Sequence, residues 1–482
     1  MQTSPPRPPA EPTTDPAVGP RSPSVRRAVQ GLREARSRLV RQSMLLQKNP
    51  RALWYAFIGL HAAVFVALTP LMLRGDVEGD LPLYRSWASH ALSGGVWPVF
   101  DFSWVYPAGA LLPIVLSNVL GESLYMLVWL VLLTGANAVG LWLLTDRGRK
   151  TVDNGAAWWW LLIVFLLSPV GMLRLEGFSA PLVIAALMTL ATRPRAAGVL
   201  LAVATWIKVW PAAVIAAVVV ASNRRMTVLR TGVVVTVGVV AVVGLAGGLS
   251  NLSSFITMQS SRGLQLEAPL STPWLWMAML RVPGASIYQN VALATREVMG
   301  PGDGWAINSS TEFMFGVIIA LVAILSVATF GIPGARPTAR PVVRDEFQLV
   351  LVGALALTTA FVVFNKVGSP QYMLWIAPIV AVGLLVRPRT FHVPAVLMGW
   401  IAGLTTLVFP ILYLALIDLN PIAVLTLAAR NVLVIVLFGW AAVRLVEYAF
   451  EAVGLEGWTL RRAVARLAPD RELALRAVDR QR

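Results

Sequence analysis

Apolar runs of roughly 20 residues recur from about residue 53 to residue 444, and no other feature limits the fold so strongly. A helix rises about 1.5 Å per residue and the hydrocarbon core of a bilayer is about 30 Å thick, so runs of this length suit a crossing. Over the whole chain 57% of residues are hydrophobic and only 13% are charged, which is far from the balance of a soluble domain. Lipid offers backbone groups no partners, so each crossing segment must satisfy its own N–H and C=O groups as a helix. The expected fold class is therefore all-α: a polytopic membrane protein with about 12 transmembrane helices plus re-entrant or surface helices in its external loops.

The spans fall at about 53–73, 124–145, 156–173, 179–192, 196–207, 210–222, 227–248, 312–331, 347–364, 371–386, 392–412 and 422–444. The run 107–120 is apolar but short, and reads as a re-entrant or surface helix leading into the second span. The pair 196–207 and 210–222 is also short, with Lys208 and Pro211 at its tip, and suits a hairpin that stops partway or a thinned region. Arg and Lys gather in the N-terminal tail, in DRGRK (146–150), RPR (193–195), NRR (223–225), ARPTARPVVR (335–344) and RPR (387–389), and in the C-terminal tail. The excess of positive charge in cytoplasmic loops puts these inside, with both termini cytoplasmic. Three regions follow: 1–50, a disordered to basic amphipathic cytoplasmic tail; 51–445, the transmembrane domain; and 446–482, a basic cytoplasmic C-terminal tail. The net charge of +16 then reflects topology and contact with anionic membrane lipids, so nucleic acid is not an expected partner. The absence of cysteine excludes thiolate chemistry, and His61, His90 and His392 are too scattered to suggest a histidine metal cluster. No metal or cofactor is expected.

This topology leaves almost every unusual polar residue outside. The first external loop, RGDVEGDLPLYRSWASHALSGGVWPVFDFSWVYP (74–107), gathers Asp76, Glu78, Asp80 and Asp101 among seven aromatic rings. Carboxylates at a bilayer surface, flanked by rings that prefer the headgroup region, suit polar chemistry on a lipid-borne substrate. RLEGFS (174–179), the tip at Lys208, the long segment 249–311 and NKVGSPQY (365–372) share that side. Three cations from separate parts of the chain, Lys208, Arg262 and Lys366, fit a phosphate-linked donor, and a carboxylate fits the base that takes a proton from an attacking hydroxyl. Each residue also has a plainer reading. Asp80 suits the cap of a helix starting at Leu81 and Pro82, Glu176 a partner for Arg174, and Lys208 a snorkelling tip residue. Arg262, Gln265 and Glu267 suit a solvated face, and Asn365, Lys366 and Gln371 a turn before Pro370. His90 and His392 read as structural or surface residues, and GPGDG (300–304) as a flexible turn.

GDLPLYRSW (79–87) followed by DFSWVYPAGALLP (101–113) resembles the first external loop of the GT-C glycosyltransferases. The likeness is to glycosyltransferase family 87 of actinobacteria, which includes polyprenol-phosphate-mannose-dependent alpha-mannosyltransferases. AGVLLAVATWIKVWPAAV (197–214), SRGLQLEAP (261–269) and NKVGSPQYMLW (365–375) resemble later segments, so the likeness runs from about 53 to about 445. YPAG stands where many relatives have a second proline, a small change at one turn.

The resemblance implies a GT-C-type fold and an inverting hexosyltransferase, which moves a sugar, mannose by preference, from a polyprenyl phosphate to a lipid or glycan acceptor outside the cytoplasmic membrane. The family's catalytic aspartate carries over to Asp80, with Asp76, Asp101 and Glu176 as secondary acids. Lys208, Arg262 and Lys366 would hold the donor phosphate in place of a metal, and Tyr84, Arg85, Gln265, Glu267, Asn365, Gln371 and Tyr372 would line the substrate site. A transporter or flippase of a lipid-linked sugar is the alternative. It would place its charges near the midplane and often shows repeated halves. A non-catalytic scaffold would leave the acidic loop without a reason.

Overall fold

Prolines and short polar caps start several of the helices. In the computed structural model, which describes residues 49–145, 154–258, 262–291, 295–332 and 345–455, the first span is α1 (Pro50–Leu73). Asn49 caps it by accepting from the backbone N–H of Arg51 and Ala52. Proline lacks the N–H that a first turn leaves unpaired, so it starts a helix at no loss. The same device opens α7 (Pro194–Ile207), α8 (Pro211–Ala221), α14 (Pro388–Thr406) and α15 (Pro421–Ala452). Between them lie α2 (Leu81–Gly94), α3 (Leu111–Leu116), α4 (Tyr125–Leu144), α5 (Gly155–Leu166), α6 (Glu176–Thr189), α9 (Arg225–Leu245), α10 (Thr272–Met279), α11 (Gly304–Phe330), α12 (Glu346–Val363) and α13 (Met373–Val386).

Each of the twelve expected spans is met by a helix, and the fold is that of an all-α polytopic membrane protein. Among the described residues seven helices are long and apolar enough to cross a membrane, while α5, α6, α7, α8 and α13 are shorter. The 11 residues of α8 reach only about 16 Å, half of a bilayer core. Shortness is tolerated because neighbours surround these helices. α6 and α13 are almost wholly buried, whereas α1 and α9 turn Val66 and Val234 outward. Broken backbone at membrane depth survives where protein, not lipid, encloses it. Close approach fixes one contact of the short pair: a Cβ at Gly198 of α7 would lie 1.9 Å from Thr231 Oγ1 on α9.

The connections sort into two ends. At one end Glu346 accepts from Ser222 Oγ and Asn223 N at 2.6 and 2.8 Å, Asp345 pairs with Arg387, and Arg225 lies over the Phe330 ring. The basic loops 223–225 and 387–389 are here. Residues 1–48 and 456–482 and the loops 146–150 and 335–344 lie outside the described residues, while α15 runs on to Ala452, past the expected start of the C-terminal tail at 446. At the other end the run 107–120 does not cross. It forms a 3-10 turn, the six-residue α3 and further turns, with Leu112, Val119 and Leu120 exposed as on a helix resting against lipid.

The long segment 249–311 departs from expectation. Its apolar helix, α10, is too short to span, as the sequence suggests. Around it lies an unanticipated antiparallel sheet of β1 (Leu264–Gln265), β2 (Ser286–Asn290) and β3 (Thr295–Met299), in the order β1-β3-β2. Glu297, buried on β3, accepts from Tyr288 Oη at 2.6 Å and from Asn290 Nδ2 and Thr295 Oγ1 at 3.1 and 3.0 Å, which locks the hairpin.

Candidate active site

Asp80 stands at the N-cap of α2, where the left-handed φ of +68° at Gly79 turns the chain past Leu173. The expected cap bond is not made. Asp80 Oδ2 instead accepts from Arg174 Nη1 at 2.7 Å and from Tyr84 Oη, one turn along α2, at 3.3 Å. Capping alone therefore does not account for Asp80. Arg174 sits in the turns that lead into α6, so this ion pair ties the first loop to the start of a buried helix.

Glu176 opens α6 and does not pair with Arg174. Its carboxylate, 1% exposed, lies 3.1 Å from Lys208 Nζ. Lys208 is the extended residue that breaks α7 from α8, with Pro211 starting the next helix. Burial alone would pull its ammonium down, but Glu176 outweighs this and holds it above the usual lysine range. The ammonium also lies 4.4 Å from the centre of the Tyr106 ring. The hydroxyls of Tyr106 and Tyr84 are 3.4 Å apart. A chain of polar contacts thus runs from Arg174 through Asp80, Tyr84, Tyr106 and Lys208 to Glu176. Burial raises both tyrosines above the usual phenol range, so they remain protonated donors near neutral pH.

Arg262, on the far segment, is an electrostatic neighbour of Tyr372, as Lys208 is. Residues 262–272 form a clamped platform. Gln265 Nε2 donates to Ser369 Oγ at 2.9 Å, and the N–H of Gly368 donates to Gln265 Oε1 at 3.2 Å. On α15, Arg430 Nη2 donates to the carbonyl of Glu267 at 2.6 Å, and Asn431 Nδ2 to Thr272 Oγ1 at 2.8 Å. The platform buries Glu267, whose electrostatic partners include Tyr413, Arg430 and Arg174. Burial pushes its carboxyl above the usual range.

The other sequence candidates hold structure locally. Asp76 pairs with Arg74 at 3.2 Å in solvent, and Asp101 accepts from Trp97 N within its own turn at 2.6 Å. Arg85 Nη1 donates to the carbonyl of Gly75 at 2.6 Å, and Asn365 Oδ1 accepts from Val367 N at 2.8 Å. Lys366 Nζ donates to the carbonyl of Ile307 at 3.1 Å and has Glu312 and Glu297 as its charged neighbours. Those neighbours differ from the partners of Lys208, so the structure groups two of the three cations and adds Arg174 as another. Gln371 is buried near Tyr372. In GPGDG the N–H of Gly300 donates to Asp303 Oδ2 at 3.1 Å, making a turn into α11, and His90 and His392 are exposed.

Sequence reasoning missed the role of Arg174 in holding Asp80, along with Tyr106 and Arg430. Arg430 had a visible signal, since a charge in the middle of an apolar helix needs a buried partner. Tyr106 had none, because it is one of seven rings in its loop.

Residues 104–339 match the model of Glycosyltransferase family 87. No curated protein and no solved structure matches the chain. The matched stretch carries Tyr106, Arg174, Glu176, Lys208, Arg262 and Glu267, while Asp80 precedes it and Lys366 and Tyr372 follow it. The resemblance read from the sequence, from about 53 to about 445, is wider than the match. The match covers just under half of the chain and, with the helical membrane fold around it, is consistent with a membrane glycosyltransferase of the GT-C type.

Proposed function

We propose that the protein transfers a hexose, mannose by preference, from a polyprenyl phosphate to a hydroxyl of a lipid or glycan acceptor, at the outer face of the cytoplasmic membrane. One observation carries this reading: Asp80 lies on the same continuous chain of polar contacts as Lys208, beside Arg174, at the end of the bundle where the short helices stop. A carboxylate beside converging cations suits a reaction that needs a base and releases a phosphate.

In the step proposed, Asp80 takes the proton of the acceptor hydroxyl as its oxygen attacks the anomeric carbon. The bond from that carbon to the phosphate oxygen breaks, and polyprenyl phosphate leaves with the electron pair. Attack opposite the leaving group inverts the configuration. Arg174 and Tyr84 fix the direction of the Asp80 carboxylate. Lys208 and Arg262 face the phosphate, where they balance the charge that grows as it departs.

The test is transfer by purified protein in lipid vesicles supplied with a labelled mannosyl polyprenyl phosphate and a membrane-derived acceptor fraction. Donor-dependent product is expected. Movement of the labelled lipid across the bilayer with no new glycosidic bond would favour a flippase instead.

A further inference from the structure

The platform carries Arg262 at one end and Glu267 at the other, and the two reach different neighbours. Arg262 shares Tyr372 with Lys208, whereas Glu267 shares Arg174 with Asp80. Glu267 is 3% exposed; the Tyr413 hydroxyl is a hydrogen-bonding neighbour of its carboxyl, but among the described residues no donor is in bonding geometry with Oε2. The Nε of Arg174 is likewise buried with no acceptor. The two side chains are linked through rings: the Arg174 guanidinium lies 5.9 Å from the Phe409 ring, Phe409 lies 5.0 Å from the Tyr413 ring, and Tyr413 neighbours Glu267. A buried carboxyl oxygen and a buried guanidinium N–H left without partners so placed are unusual, since nearly all such groups find partners.

The missing partner has a definite chemistry. It must offer a donor to Glu267 and an acceptor to Arg174. A phosphate offers only acceptors, and its charge would oppose a carboxylate. A hydroxyl does both, and neighbouring hydroxyls on a sugar ring do both at once. Water would also satisfy the pair, and a sugar hydroxyl is the group that replaces it without loss.

We infer that Glu267 and Arg174 form a sugar-hydroxyl subsite, separate from the phosphate subsite at Lys208 and Arg262, so that the donor lies with its phosphate toward Tyr372 and its ring toward Asp80. The inference rests on the lipid-phosphate donor reading above. Its structural support is rigidity. β1 pairs with β3, Gln265 ties down the loop 365–369, and Arg430 and Asn431 hold the turn from α15, so Glu267 is placed before any substrate arrives.

The experiment compares two lipids of equal chain length, bare polyprenyl phosphate and mannosyl polyprenyl phosphate, for binding to purified protein in nanodiscs. Glu267→Ala should weaken the sugar-bearing lipid about tenfold or more and leave the bare phosphate within about twofold, because a hydroxyl's bond to a buried carboxylate is lost. Lys208→Met should weaken both lipids alike. Equal loss of both lipids in Glu267→Ala, or loss of neither, overturns the subsite. If Glu267→Ala does not fold, the wild-type protein decides through a series of monodeoxy mannosyl donors. At least one should lose about tenfold, and equal binding of all of them overturns the inference. Wild-type protein that binds the sugar-bearing lipid no better than the bare phosphate refutes the subsite alone. Wild-type protein that binds neither refutes the donor reading as well.

Discussion

Lys208 and Glu176 show how much of the site is also structure. The pair is buried, so removing one partner leaves the other charge without compensation. Glu176→Ala should lower stability by about 3 kcal/mol. Replacing both by apolar residues of similar size removes that penalty. Thermal unfolding in detergent should therefore rank Glu176→Ala lowest and return Glu176→Leu/Lys208→Met close to wild type. The double variant should still lose transfer, because no ammonium remains for the phosphate. If it kept turnover, Lys208 would be a packing residue only. At this scale the sequence is informative about residue types and poor at pairings. Asp80, Glu176 and Lys208 stand out as charges beside apolar runs. Arg174 lies two residues from Glu176 yet bonds to Asp80, 94 positions away, and no local pattern encodes such a choice.

Among the elements, the platform 262–272 and the loop 364–369 are the pieces whose fit matters most. Gly368 packs against Ala268 so closely that an added Cβ would lie 2.3 Å from the Ala268 Cα, a backbone atom that cannot swing aside. Gly368→Ala should push the loop off the platform, destabilise the protein by about 1–3 kcal/mol and displace Gln265 from Ser369. Unfolding and donor-binding measurements on one preparation check this, and unchanged values in both would refute the close fit. The twelve helices are legible from their apolar runs, and prolines or caps mark the starts of α1, α7, α8, α12, α14 and α15. The short helices are legible as irregularities, although only the fold shows that neighbours enclose them. The hairpin of β2 and β3 escapes a sequence reading. SIYQN and TREVM mix polar and apolar residues without clear alternation, and the buried Glu297 sits where a surface charge is expected.

The molecule as a whole has two chemically different ends, one holding the loops 223–225 and 387–389 and the other the polar chain around Asp80. By the positive-inside rule we propose that the second end is external. The sequence contains no cysteine, so single cysteines report topology without background. In intact cells a membrane-impermeant thiol reagent should label Ser93→Cys, exposed on α2, and leave Asn223→Cys, exposed at the other end, unlabelled until the membrane is opened. The reverse pattern would put the site in the cytoplasm. The claim on which the rest depends is that Asp80 accepts the proton of the attacking hydroxyl, and the most direct measurement is the rate of mannosyl transfer by Asp80→Asn from a labelled polyprenyl-phosphate donor. Asparagine keeps the size of the side chain and an oxygen for Arg174 while abolishing the base. In protein that melts and elutes like wild type the rate should fall about a hundredfold or more with donor binding retained. Turnover at the wild-type rate would contradict the account.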